Sequence, residues 1–326
     1  MNIYRIPLQL FSGILFASCV SVISNNNSSV QNSIYPQHTL TETLSDSIKS
    51  VTSHFPGETG VAVIINNSDT VTVNNECKYA MMSVFKLHQA IALCHDLEQK
   101  GVSIDSVINI ERKSLDAETW SPMLKDHKEE EFRMSIKDLM RYTLIHSDNN
   151  ASNLMFDRLT GLSETNRFIA TIIPRNSFNI SVSESDMKAD HARSYDNKTS
   201  PSGAAMLINR LFTDSIISAH NQEFLQKTLQ QCQTGSDRIS APLIGKNDIK
   251  VAHKTGSGYI NDKNQLIAHN DVAFIALPNG KHYAISVFVK DFPGNEQQAS
   301  TVIAEISKIV YTVVTEYYIK QKSDCQ

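Results

Sequence analysis

Cysteine is scarce in this chain: there are 5 among 326 residues, and no CxxC pair. A disulfide framework is therefore excluded as the basis of the fold, and with no HExxH among the 11 histidines a metal site has no motif to rest on. No metal and no other cofactor is expected. The 12 glycines and 9 prolines are spread thinly, which excludes collagen-like and low-complexity classes. Positive charge is not in excess: 30 Lys and Arg against 34 Asp and Glu leave a net −4, so no basic field draws a phosphate backbone and a nucleic-acid partner is excluded. A long hydrophobic run is missing too. The best stretch, Ile6 to Val20, is broken by Pro7, Gln9 and Ser12. It falls short of the ~18 to 20 apolar residues that a membrane-spanning helix needs.

What is present is an ordinary globular composition, 41% hydrophobic and 20% charged, in a chain long enough for two domains at roughly 150 residues each. Arg5 followed by the apolar Ile6–Val20 stretch reads as a secretory signal. It closes on Phe16-Ala17-Ser18-Cys19, small residues leading into a cysteine, which resembles a lipoprotein cleavage site where the thiol is acylated; an ordinary signal cut nearby reads equally well. The Asn- and Ser-rich stretch from Ser24 to Ser33 reads as a tether, so residues 1–35 are set apart from the fold. The expectation is an exported, periplasmic monomer with Cys19 as the candidate lipid anchor. Export permits disulfides, but Cys77, Cys94, Cys232 and Cys325 allow three full pairings and the sequence does not choose among them.

Strand signals lie at both ends of the chain. Gly60–Ile65 and Thr70–Val73 flank the turn-forming Asn66-Asn67-Ser68-Asp69, and Val272–Leu277 and Tyr283–Val289 flank Pro278-Asn279-Gly280. From Ala299 to Tyr318, residues Val302, Ile303, Ile306, Val310, Val313 and Tyr317 recur at helical spacing and predict an apolar stripe laid on that sheet. The middle reads as helical. Leu87, Ala90, Ile91, Cys94 and Leu97 mark one face of a helix that Gly101 ends. Ser135 with Asp138 caps a second helix through Ile145, Asn150–Leu159 forms a third, and Ser200-Pro201 opens a fourth through Phe212. An all-helical block thus interrupts an α/β domain.

Three short motifs carry chemistry. In Ser83-Val84-Phe85-Lys86 at a helix start, the amine lies one turn from the hydroxyl and could take its proton, while the helix N-terminus favours negative charge beside Ser83. In Ser147-Asp148-Asn149, between two helices, a hydroxyl could relay a proton, and Asn149 could bond both a substrate amide and Lys86. In Lys254-Thr255-Gly256-Ser257-Gly258, on a strand, Lys254 supplies a cation, Gly256 admits a close approach to a ligand, and the Ser257 N–H could join that of Ser83 around an oxyanion. Each alone is an ordinary match to a polar turn, a solvated lysine or a glycine bend.

Their order and setting are not ordinary: SxxK, then SDN, then KTG is the set found in class A β-lactamases and penicillin-binding proteins. From about residue 40 to 320 the chain resembles a class A serine β-lactamase, and within it the CfxA-type cephalosporinase subgroup. The resemblance implies an α/β plus all-α fold, an antiparallel sheet flanked by helices with an inserted helical domain. It implies a discontinuous domain (36–80 with 214–326), an inserted one (81–213) holding an Ω-type loop near 180–199, and a cleft between them. It also implies roles. Ser83, Lys86, Ser147 and Glu184 would be catalytic; Asn149, Lys254, Thr255, Ser257, Arg238 and Trp120 would bind substrate. Trp120-Ser121-Pro122 resembles the aromatic segment at the cleft mouth, and Thr234-Gly235-x-x-Arg238 resembles the variant in which this guanidinium joins Lys254 at the substrate carboxylate.

Glu184 decides between the two kinds of protein that share the motifs, because a penicillin-binding protein lacks the base that frees its acyl-enzyme. Asp186 and Asp190 are rival carboxylates. The loop departs from the family pattern: Lys188 stands where many members have the Asn that helps hold the water, and Val182 and Asn197 replace the Arg and Asp that brace the loop ends. The expectations are a β-lactam-hydrolysing enzyme, with a DD-peptidase, a β-lactam receptor and a binding lipoprotein as the alternatives.

Overall fold

The strand pairs expected at the two ends are zipped together. The computed structural model describes residues 39–323, and Cys19, Cys325 and the expected signal lie outside them. In chain order, α1 (Leu40–His54) opens on a capping box in which Thr39 and Glu42 exchange hydrogen bonds, then β1 (Glu58–Ile65) and β2 (Asp69–Val73) follow. The turn between the strands holds Asn66 and Asn67 at φ 47° and 60°, a conformation Asn tolerates. Then come β3 (Tyr79–Ala80), α2 (Phe85–Gln99), β4 (Val107–Glu111), α3 (Pro122–Asp126), β5 (Glu131–Ser135), α4 (Ile136–Ile145) and α5 (Asn149–Arg158). The chain continues through α6 (Leu162–Ile172), β6 (Phe178–Asn179), α7 (Glu184–Ala189), β7 (Lys198–Thr199), α8 (Pro201–Thr213) and α9 (Ala219–Leu229). It ends with β8 (Lys250–Ser257), β9 (Leu266–Ala276), β10 (His282–Phe292) and α10 (Glu296–Ser323).

The main sheet is antiparallel in the order β2-β1-β10-β9-β8, so a strand from the start of the chain lies beside one from its end. Strand side chains alternate between faces. On one face Val61, Val63, Ile285 and Val287 pack with Leu44 and Ile48 of α1 and with Val302, Ile303, Ile306 and Val310 of α10. On the other, Ala62, Ile64, Phe274 and Phe288 join Ala204 and Ile208 of α8 and the helices beyond in a second cluster. The α10 stripe differs at its end from the expected one. Val314 is fully buried, Val313 only partly, and Tyr317 is 37% exposed. The last turns of α10 lie beside the strand-connecting turns, where Tyr318 meets Asn66 and Lys281, rather than over the sheet.

The middle segment is helical with two additions. An isolated ribbon pairs β4 with β5, and β3, β7 and β6 form a small sheet. The ribbon had a signal: Glu131-Phe132-Arg133-Met134-Ser135 alternates in polarity and buries Phe132 and Met134. Nor does α2 have one apolar face; Phe85 through Cys94 are buried on every side, because the helix runs through the middle of the second cluster. Cys77, Cys94 and Cys232 are free thiols.

Candidate active site

Ser83 sits in a short 3-10 turn (Met82–Val84) between β3 and α2, with Met82 at φ 44°. The turn is held from the sheet side: Asn270 Nδ2 on β9 donates to the carbonyls of Ala80 (2.8 Å) and Met81 (3.2 Å). Gly256 presses against it as well. A Cβ at Gly256 would lie 2.4 Å from the Met81 carbonyl oxygen, so the chain's own close packing requires a glycine here.

Lys86 is fully enclosed one turn further along, and four groups surround its ammonium. Nζ lies 2.7 Å from Asn149 Oδ1, 2.8 Å from the Ser147 carbonyl, 2.8 Å from Glu184 Oε1 and 3.1 Å from Ser83 Oγ. The Ser83 hydroxyl in turn donates to Glu184 Oε1 at 3.3 Å. Ser147, at φ 60° between α4 and α5, takes a hydrogen bond from Lys254 Nζ at 3.0 Å and lies 3.5 Å from Lys86 Nζ. Two buried ammonium groups therefore converge on one hydroxyl, with the Glu184 carboxylate beside them as counter-charge. Burial, and then the neighbouring Lys86 charge, bring Lys254 down to about 7, against the opposing pull of Cys232, Glu184 and Asp271.

Glu184 is placed by its loop. It is the first residue of α7, whose N-cap is Ser183. Asp186 completes that capping box and pairs with Arg193, while Asp190 caps the following turn, so neither rival carboxylate is free for the cleft. Asn153 on α5 bonds Ser185 through both its amide atoms. At the loop's ends Asn197, fully buried, does what the missing ion pair was expected to do: its Oδ1 accepts from the Ser181 and Val182 N–H groups at 2.8 and 3.0 Å, and its Nδ2 donates to the Val182 carbonyl at 2.8 Å. Lys188 turns away from Glu184 and pairs with Asp116 at 2.5 Å.

Around this centre, Trp120 is 54% exposed, its Nε1 donating to the His146 carbonyl and its own carbonyl accepting from Asn149 N. The segment is anchored by Asp148, a role not anticipated: its buried carboxylate accepts from Ser121 Oγ and from the N–H groups of Met123 and Ala151. Thr119 accepts from Asn149 Nδ2 at 2.9 Å. Arg238 is buried; Nη1 donates to the Gly256 and Asn270 carbonyls and Nη2 to Ser257 Oγ at 2.6 Å, so its fork reaches the cleft edge through a hydroxyl. β8 is the last strand of its sheet. Gly258 N donates inward to the Ala268 carbonyl, so the preceding Ser257 N–H faces the open edge. All ten residues singled out from the sequence thus lie on Ser83, on one another, or on the strand and loop beside it, while Asn153, Asn270 and the anchoring role of Asp148 escaped notice because their partners lie on other elements.

The profile of the β-lactamase enzyme family matches residues 43–314. The chain belongs to that family. It is 55% identical over 281 residues to a β-lactamase of Phocaeicola vulgatus, covering 86% of this chain and 88% of the relative. It is 29% identical to the extended-spectrum β-lactamase PER-1 of Pseudomonas aeruginosa, over 82% and 86% of the two chains. Among solved structures, a class A β-lactamase from Bacteroides cellulosilyticus superposes with a TM-score of 0.80 at 28% identity, covering 86% of this chain and 99% of that one. The fold is that of the serine β-lactamases, and the activity of this β-lactamase is hydrolysis of the β-lactam amide.

Proposed function

We propose that hydrolysis runs through an ester on Ser83 and that Glu184 is the base which releases it. The observation that carries this reading is the position of one carboxylate oxygen, within 3.3 Å of the Ser83 hydroxyl and 2.8 Å of the Lys86 ammonium. In acylation the serine proton goes to Lys86, 3.1 Å from the Ser83 oxygen, or to Glu184, 3.3 Å from it, directly or through water; in deacylation the base is Glu184. The N–H groups of Ser83 and Ser257 then hold the oxyanion. Ser147, between the two amines, passes a proton to the departing nitrogen. Lys254, Thr255 and Ser257, with Arg238 behind them, take the substrate carboxylate; Asn149 takes an amide of the substrate and Trp120 its flank.

The same reading extends to features outside the site. The two-part organisation, residues 36–80 with 214–326 against 81–213, puts the cleft at their junction. Ser257, Gly258 and the altered loop favour cephalosporins, the protein acts as a monomer after export to the periplasm, and Cys19 is the candidate anchor. Glu184→Gln tests the mechanism. We expect the variant to be acylated by a cephalosporin and a penicillin while steady-state turnover falls by about 10²- to 10⁴-fold, the usual size of a general-base contribution. Undiminished turnover would remove Glu184 from the mechanism, and a stoichiometric burst without turnover by the unaltered protein would favour the DD-peptidase reading.

A further inference from the structure

Behind the carboxylate-binding strand, on the face of the sheet that α10 covers, lies a buried carboxylate that the mechanism does not use. Asp271 on β9 stands opposite Thr255 of β8 in the ladder and is fully enclosed. Its two oxygens lie 3.1 and 3.2 Å from Nδ1 of His253, the residue before Lys254, and one of them accepts from the Ile239 N–H at 3.1 Å. The Ile239 carbonyl accepts in turn from Ser307 Oγ of α10 at 2.7 Å. Ile239, the residue after Arg238, thus has its N–H and its carbonyl held by two buried side chains.

We infer that Asp271 is a positioning residue for the substrate carboxylate, acting through Arg238: it fixes the backbone from which the guanidinium is carried to the cleft edge. The inference rests on the reading that Arg238 serves that carboxylate. A guanidinium meets a carboxylate with a planar fork, so a small displacement of the chain that carries it is felt in the contact. The Arg238 N–H donates to the Gly235 carbonyl and its own carbonyl accepts from the Ala241 N–H, both at 3.0 Å and both within one turn. The bond to Asp271 ties the backbone of that turn to the sheet. From there the guanidinium runs over the Gly256 and Asn270 carbonyls to Ser257 Oγ. Asp271 is also a counter-charge. Burial opposes a charged His253 ring, and Asp271 outweighs it and holds His253 above the usual histidine range. Burial likewise opposes the Arg238 guanidinium, and Asp271 is the foremost charge supporting it.

Anchor and charge are separable by substitution. In Asp271→Asn the amide oxygen still accepts from the Ile239 N–H, and the amide nitrogen donates to a neutral His253 ring. One negative and one positive charge are lost together, so the anchor and the local net charge both remain. In Asp271→Ala the acceptor is gone and the Ile239 N–H is left unpaired in the interior.

The test compares kcat/KM for a cephalosporin whose ring carboxylate is free with that for its methyl ester, in the full chain. Asp271→Ala is expected to lower the acid-to-ester ratio by about 3- to 10-fold, the size of one lost hydrogen bond, with the ester value changed by less than about 2-fold. Asp271→Asn is expected to keep the ratio of the unaltered protein. Arg238→Gln lowers the ratio by itself, and adding Asp271→Ala to it is expected to lower it no further, because a residue acting through another is not additive with it. Equal losses on acid and ester, an asparagine variant as impaired as the alanine one, or additive losses in the double variant would each overturn the inference. If Asp271→Ala does not fold, Ser307→Ala, which frees the other side of Ile239, decides in its place. It is expected to lower the ratio by about 2- to 3-fold, and an unchanged ratio overturns the inference. An unchanged ratio in Arg238→Gln overturns the carboxylate reading of Arg238 and the inference with it, whereas a fall there without one in Asp271→Ala overturns the inference alone. Both leave the reading of Ser83 and Glu184 standing.

Discussion

At the scale of single residues, the most unusual group is Lys254, an amine enclosed on all sides whose partners are Ser147 Oγ and the Thr255 carbonyl. Its value of about 7 lies below the usual 10.5, chiefly through burial, so the lysine loses its proton early as pH rises. The value of kcat/KM reports groups in the free enzyme. For a carboxylate-bearing β-lactam it should therefore fall as pH increases through about 7, while Lys254→Arg, permanently charged, flattens that limb at a lower plateau. A wild-type profile level from pH 6 to 9 would contradict this. The residues of SxxK, SDN and KTG were legible in the sequence because they belong to spacings with a chemical meaning. Asn270 and Asp148 were not, since a side chain that bonds backbone 100 or more residues away, or in the neighbouring loop, leaves no local pattern.

At the scale of elements, the segment from Ser181 to Asn197 is decided by one buried amide. Asn197 satisfies three backbone groups, and leaving a buried polar group unpaired costs about 1 to 3 kcal/mol. Asn197→Ala should thus lower unfolding stability by about 2 to 4 kcal/mol in a urea titration, and slow deacylation more than acylation because Glu184 loses its footing. A loss below about 1 kcal/mol would show that the loop holds without it. Lys188 belongs to a different class. It ties α7 to Asp116 at the surface, where an ion pair contributes about 0 to 1 kcal/mol. Lys188→Asn is accordingly expected to keep stability and the acylation burst while changing the deacylation rate; equal deacylation rates would separate Lys188 from the chemistry. The position of the loop, and Glu184 on it as the base proposed here, was implied by the family resemblance. How it is braced was not, because an asparagine in a polar run looks like any turn residue until its partners are known.

At the scale of the whole molecule, the sheet and the helices share a core. Ala62, Ile64, Phe274 and Phe288 from the strands pack in one cluster with residues of α2, α4, α5, α8 and α9. Separate melting of a sheet half and a helical half would expose that shared surface, so the described part of the chain is expected to unfold in one transition. Far-ultraviolet circular dichroism, fluorescence of the single tryptophan, Trp120, and loss of activity should then coincide along a urea titration. Two separated transitions would refute a common core.

The sequence by itself determined the elements and the chemical groups. Periodicity places helices and strands, caps and turn residues end them, and three motifs name a hydroxyl, two amines and their neighbours. Tertiary structure alone decided what those groups are to one another. That Glu184 stands within reach of Ser83 across 101 positions of chain, that Gly256 serves packing, and that Asn270 holds the turn before Ser83 all depend on which surfaces are pressed together when the apolar clusters close. Local sequence fixes backbone preferences, but distances between remote side chains follow only from the packing that buries the core.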